Sequence, residues 1–244
     1  MASSSSFFNL RRRATAGHVP SQCWLAEYYH DLGTARDRQN EVYWLRKAAK
    51  GGNACAQYNL AYAFEHGKGI RRNIKEAVSW YARAAARGFS SARLNLGILL
   101  AHGRGVRKNL HEAVRLYRLA ARQGRPNAAY NLGLYYARGS GVRKNRRTAF
   151  KWMLIAARAG DVDAQCFVGY SYHEGESVRR NFERAAHWYK RAARAGYAHA
   201  QWNLSLCYQD GHGVPRDSRR RKMWLERAAA QGHKEALRKL KRMC

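Results

Sequence analysis

Apolar and small residues recur along this chain at helical spacing nested inside a longer period. In residues 89–124, Leu96, Leu99 and Leu100 fall at i, i+3 and i+4. That spacing predicts a helix from about Ser91 to His102 with one apolar face. The segment His102-Gly103-Arg104-Gly105-Val106 then breaks it, glycine being the residue that closes a helix in a left-handed conformation. A second helix carries Val114, Tyr117, Ala120 and Ala121 and stops at Gly124. Asn109 is its expected N-cap, with Glu112 three residues on, as in a capping box. Asn73 and Glu76 repeat that pair, and the cap position recurs as Asn145, Asn181 and Asp217.

The whole arrangement returns every 36 residues, at Gly52, Gly88, Gly124, Gly160, Gly196 and Gly232. Alanine pairs such as Ala84-Ala85 and Ala120-Ala121 keep the same phase, as does Ala56 with Ala92, Ala128, Ala164, Ala200 and Ala236. A fixed period of this length means stacked helical units, each burying its apolar face against its neighbours. Gly97 stands in mid-helix, where glycine costs roughly 1 kcal/mol against alanine. Its equivalents Ala61, Gly133, Gly169 and Ser205 are also small, which implies a close helix crossing. Trp44, Trp80, Trp152, Trp188 and Trp224, with Leu116 in the remaining place, form an aromatic row that reads as core rather than a ligand-stacking ladder. The ends are irregular. The first unit, about Ser21 to Gly52, lacks the Gly-x-Gly loop, and His233 to Cys244 reads as a lone capping helix.

Composition changes the picture through charge. Lys and Arg total 46 against 16 Asp and Glu, a formal +30 with a pI near 10.7. Such a field attracts polyanions. The five cysteines, Cys23, Cys55, Cys166, Cys207 and Cys244, match no zinc or redox spacing and are expected as reduced thiols of an intracellular protein. No stretch approaches the ~20 apolar residues of a transmembrane helix. Residues 1–19, Ser- and Arg-rich, read as a disordered basic tail or a short transit segment; residues 20–244 form the repeat array. The compartment expected is the cytoplasm, or a mitochondrion or plastid if the N-terminus is a transit peptide.

Three segments resemble the Sel1-like repeat family, a relative of the tetratricopeptide repeats: Ala92-Arg93-Leu94-Asn95-Leu96-Gly97, Gly103-Arg104-Gly105-Val106-Arg107-Lys108-Asn109 and Ala77-Val78-Ser79-Trp80-Tyr81. The resemblance implies an all-α, right-handed α-solenoid of about six helix pairs plus a C-terminal capping helix, serving as an adaptor. Some secreted members hold each repeat with a disulfide; this chain has no in-repeat cysteine pair. The family's usual Asp in the inter-helix loop is Asn in four units here.

Catalytic chemistry is not legible. No HExxH, GxSxG, P-loop or dinucleotide fingerprint is present. His66 and His102 share a repeat position beside a loop glycine, where a cation suits a helix C-terminus. The reading is therefore a non-enzyme, without cofactor, metal or small-molecule substrate. Two binding constellations remain. One is a ladder of loop bases, Arg71-Arg72, Arg107-Lys108, Arg143-Lys144, Arg179-Arg180 and Arg216, extended by Arg219, Arg220 and Arg221. Positive charge before a helix N-terminus opposes the dipole, so helix stability does not explain it. The ladder is either a solvated charged loop or an edge for RNA, DNA or an acidic protein. The other is Asn59, Asn95, Asn131 and Asn203, a row interrupted by Phe167. Its amides either clamp an extended peptide in a concave groove or bond to a neighbouring repeat. The expected function is a protein-interaction scaffold with an acidic protein partner, or alternatively a ribonucleoprotein scaffold gripping phosphate through the basic edge.

Overall fold

The computed structural model describes residues 4–242, with side chains over 7–242; Cys244 lies outside the described residues. Packing divides the chain into two units, Met1–Arg125 and Pro126–Cys244. The first holds α1 (Ser4–Thr15) and three helix pairs: α2 (Val19–Leu32) with α3 (Ala35–Lys50), α4 (Ala54–His66) with α5 (Ile74–Ala86), and α6 (Ser90–His102) with α7 (Leu110–Arg122). The second holds α8 (Pro126–Arg138) with α9 (Arg146–Arg158), α10 (Val162–Glu174) with α11 (Phe182–Arg194), and α12 (Ala198–Asp210) with α13 (Ser218–Ala230), then α14 (Lys234–Lys241). No strand occurs among the described residues, and within each unit every helix packs on its neighbours in sequence. The architecture is the all-α repeat solenoid that the 36-residue period predicts.

The turns follow from backbone chemistry. At the end of α5, the Gly88 N–H donates to the Ala85 carbonyl at 3.0 Å and the Phe89 N–H to Ala84 at 3.0 Å. This crossed pair needs a left-handed residue, and Gly88 has φ +90°. In the loop after α10, Ser177 adopts φ +70°, standing where the other loops place Gly69, Gly105, Gly141 and Gly213. Asn73, Asn109, Asn145, Asn181 and Asp217 all cap second helices, each accepting from the N–H three residues on. The capping box is not completed. The Asn109 N–H is taken by the Leu100 carbonyl at 2.9 Å, and Glu112 instead forks onto Arg115 at 2.7 Å.

The row of small residues marks close crossings within each pair. A Cβ on Gly97 would come within 2.7 Å of the Tyr117 ring, and one on Gly169 within 2.7 Å of Tyr189. Those rings are almost fully buried. Trp44, Leu116, Trp188 and Trp224 are buried too, and Trp80 and Trp152 half-buried, so the aromatic row belongs largely to the core.

Both ends depart from the regular unit. Gly33 (φ +72°) and the Thr34 cap replace the long inter-helix loop of the later pairs. The segment expected as a disordered tail contains α1. Ala14 is buried, its carbonyl accepts from Gln22 Nε2 at 3.0 Å, and the Phe7 ring lies 5.0 Å from that of Tyr28. Phe7, Leu10 and Ala14 share one helical face, which the charged residues around them disguise. α14 is the expected terminal helix, with Ala236 buried and Leu240 partly buried against α13.

Candidate partner-binding surfaces

Charge is segregated by helix. The first helices α2, α4, α10 and α12 contain no lysine or arginine at all, and α6 and α8 contain one each. The six second helices carry 23 of the chain's 46 bases. The basic field therefore emanates from second helices and loops, and the first-helix side is close to neutral.

The loop ladder divides in two. Its second members pack over the glycine that ends the first helix. The Cβ atoms of Arg72, Lys108, Lys144 and Arg180 sit close to Gly67, Gly103, Gly139 and Gly175. Arg72 Nε donates to the Glu65 carbonyl at 3.1 Å, and Arg216 Nε lies 3.4 Å from the Asp210 carbonyl. Arg72 and Arg216 thus face the negative end of the preceding helix, where a cation stabilises terminal carbonyls. Measured against the following helix such a charge is unfavourable; for Arg72 and Arg216 the carbonyls of the preceding helix offset that cost. The first members, Arg71, Arg107, Arg143 and Arg179, are exposed. Arg219 is exposed in the first turn of α13, Arg220 pairs with Asp217 at 3.4 Å, and Arg221 is half-buried.

The asparagine row is not uniform either. Asn95 Nδ2 donates to the Tyr81 hydroxyl at 3.1 Å, and that hydroxyl donates to Glu65 at 3.0 Å, a network inside the array. Asn203 Nδ2 lies 3.8 Å from the Cys166 sulphur, and Asn131 is half-buried. Asn59 is exposed, with only the Cys55 sulphur 3.8 Å from its amide.

Asn59 lines a cavity of about 730 Å³ in the first unit, between α2 and α4 and against α3. Tyr58, Tyr62, Glu27, Glu41 and Cys55 share its wall. Glu41 meets His30 Nδ1 at 3.0 Å. Burial, followed by the nearby thiol of Cys55 and the Glu27 carboxylate, pushes the Cys23 thiol up; burial and Glu27 do the same to Cys55. Burial raises Cys166 and Cys207 to about 11. None of the four is poised as a thiolate nucleophile. No group of three His, Cys, Asp or Glu that could hold a metal occurs among the described residues. No helix among them is long and apolar enough to cross a membrane.

One structural row has no counterpart in the sequence expectations. Gln57, Gln165 and Gln201 each donate Nε2 to a carbonyl in the last turn of the preceding helix, at 3.0, 3.1 and 3.2 Å. Arg93 does the same through Nε to Ala85 at 3.2 Å. The signal was present, since these residues stand 36 positions or multiples of it apart.

A stack of helix pairs repeated along the chain, with near-neutral first helices, defines a helical-repeat protein. The Sel1 repeat profile matches six consecutive segments, 19–53, 56–89, 90–124, 126–161, 162–197 and 198–233, and the chain belongs to the Sel1 repeat family. Proteins of this family are generally protein–protein interaction scaffolds and typically non-catalytic. The chain is similar to c5321, a protective antigen of uropathogenic Escherichia coli strains displaying an SLR fold, at 32% identity and a TM-score of 0.88. That alignment covers 94% of this chain and 50% of the other, so the chain spans half that relative's length. It is also similar to a Sel1 repeat protein from Oxalobacter formigenes, at 33% identity and a TM-score of 0.76, covering 86% of this chain and 84% of that one. No curated protein matches the chain.

Proposed function

We propose that the chain is a non-catalytic adaptor that takes a segment of a protein partner into the first-helix cavity of its first unit. The supporting observation is the cavity itself, about 730 Å³ with the exposed Asn59 amide on its wall. An amide offers a donor and an acceptor and so matches an extended main chain. Tyr58 and Tyr62 supply rigid amphipathic walls at low entropic cost. Asn59 is the exposed member of its row and the one suited to a clamp; Asn95 is engaged with the Tyr81 hydroxyl, and Asn131 and Asn203 are half-buried. Acidic residues flanking the bound segment would meet the exposed Arg71 and Arg107 on the loops of the same unit. The test is quantitative affinity capture with nuclease present, comparing the wild type with Asn59→Ala/Tyr62→Ala. Partners released by that variant, and kept by an Arg71→Gln/Arg107→Gln variant at high salt, support the groove. Full retention by the groove variant overturns it.

A further inference from the structure

The second helices carry more than charge: they carry charge that is already ordered. Arg83 Cζ lies 4.4 Å from the ring centroid of Trp80 in α5, Arg191 Cζ lies 5.1 Å from Trp188 in α11, and Arg227 Cζ lies 4.9 Å from Trp224 in α13. All three arginines are exposed. Their guanidinium groups make no hydrogen bond or ion pair among the described residues. Lys47 occupies the same repeat position in α3, its Nζ 5.7 Å from the Tyr43 ring. The row is filled in consecutive repeats within each unit, at 47 and 83 in the first and at 191 and 227 in the second. Leu119 and Ile155 stand at the two remaining places.

Stacking uses the face of a guanidinium and leaves its in-plane N–H edges free, and those edges match phosphate geometry. A side chain already laid over an indole has less rotamer freedom to lose when an anion arrives. The composition points the same way: 34 of the 46 bases are arginine. A nucleic-acid backbone presents regularly spaced phosphates to a field of +30, whereas an acidic protein presents scattered carboxylates. Trp188 and Trp224 are buried and the half-buried Trp80 carries Arg83 over its ring, so the indoles are closed to base stacking and recognition would be of backbone rather than sequence.

We infer that, within each unit, the exposed face of the second helices seats a nucleic-acid phosphate backbone, independent of sequence, with Arg83 in the first unit and Arg191 and Arg227 in the second as pre-ordered contacts. This places the phosphate surface on the helices rather than on the loop ladder, and it stands independently of the groove reading above.

The experiment is fluorescence anisotropy of labelled single strands, RNA and DNA, of several base compositions, titrated with the full chain over a salt series. Replacing Lys47, Arg83, Arg191 and Arg227 by Gln should flatten the log K against log salt slope by about 0.7 for each phosphate no longer neutralised, or about 3 for all four. A control replacing Arg71, Arg107, Arg143 and Arg179 by Gln removes equal charge and should change the slope far less. Circular dichroism checks that both variants fold. Should the first variant not fold, the Arg→Lys set keeps the charge and should weaken binding while preserving the slope. Equal slopes for the two Gln variants would overturn the inference, showing a diffuse field. So would a strong preference for one base composition. Competition by polyglutamate as effective, charge for charge, as nucleic acid would overturn it in favour of an acidic protein partner.

Discussion

The side-chain amide of Gln165 donates to the main-chain carbonyl of Ala157 at 3.1 Å, tying α10 to the last turn of α9. Gln165 is 4% exposed, and the carbonyl it meets, in the last turn of α9, also accepts from the Gly160 N–H at 3.1 Å. The bond joins one repeat to the next, which is where a solenoid's cohesion resides.

Gln165→Glu should therefore be costlier than Gln165→Ala. A carboxylate cannot donate, and it would set a buried negative charge against a carbonyl oxygen. The expected loss is about 1–3 kcal/mol in urea unfolding at neutral pH. Burial would raise the introduced carboxyl in the folded state. The sign follows: stability is fully present below the ordinary carboxylate value and is lost as pH rises through the raised one. Recovery of the urea midpoint on acidification checks this.

Gly133→Leu should destabilise by about 1–3 kcal/mol through overpacking. A Cβ there would come within 2.8 Å of Met153 Cγ, and Met153 is fully buried. Gly133→Ala should cost less, because a flexible thioether side chain can shift. Thermal melting of the two variants distinguishes them; an unchanged melting temperature for the leucine variant would contradict the close crossing of α8 and α9.

Asn109→Ala should cost about 1 kcal/mol by removing the acceptor for the Glu112 N–H, which lies 3.0 Å from Asn109 Oδ1. Asn109→Asp should be tolerated, since Asp217 performs the same task at 2.9 Å from the Arg220 N–H. Chemical denaturation of both variants gives the comparison.

His233 makes the docking of α14 sensitive to pH. It is 8% exposed; Nδ1 accepts from the Ala236 N–H at 3.4 Å, and Nε2 lies 3.0 Å from His199 Nδ1. Trp202 stacks on its ring at 5.5 Å. Burial chiefly, then the neighbouring His199, holds its pKa below the ordinary value, against the pull of Glu235 at 3.4 Å. A depressed histidine contributes stability that is fully present above about pH 6.5 and is lost as pH falls through the folded value. Hydrogen exchange over α14, corrected for intrinsic rates, should accelerate on acidification. His233→Asn keeps a neutral cap and should remove that dependence; equal acceleration in the variant would mean another group responds.

Much of the fold was legible because it is local and repeated six times. Asn109 and its equivalents cap helices for reasons confined to three residues of chain, and Gly88 ends one because of its own φ. The capping box failed for a reason outside that window, since the Leu100 carbonyl, on the neighbouring helix, had already claimed the Asn109 N–H. α1 was hidden because Phe7, Leu10 and Ala14 are too few to signal a helix until Gln22 and Tyr28 are there to receive them.

The candidate surfaces divide along the same line. By itself the sequence determined the period, the paired helices, the family and the size of the charge, all of which follow from residue type and spacing. Only the tertiary structure decided where each recurring residue spends its hydrogen bonds. It turned Arg72 and Arg216 back onto carbonyls of the preceding helix and engaged Asn95 with Tyr81, while Asn59 stayed exposed on a cavity wall. Equal spacing guarantees equal positions on a helix, but a side chain's partners come from the neighbouring helix, whose residue at the facing position differs from repeat to repeat.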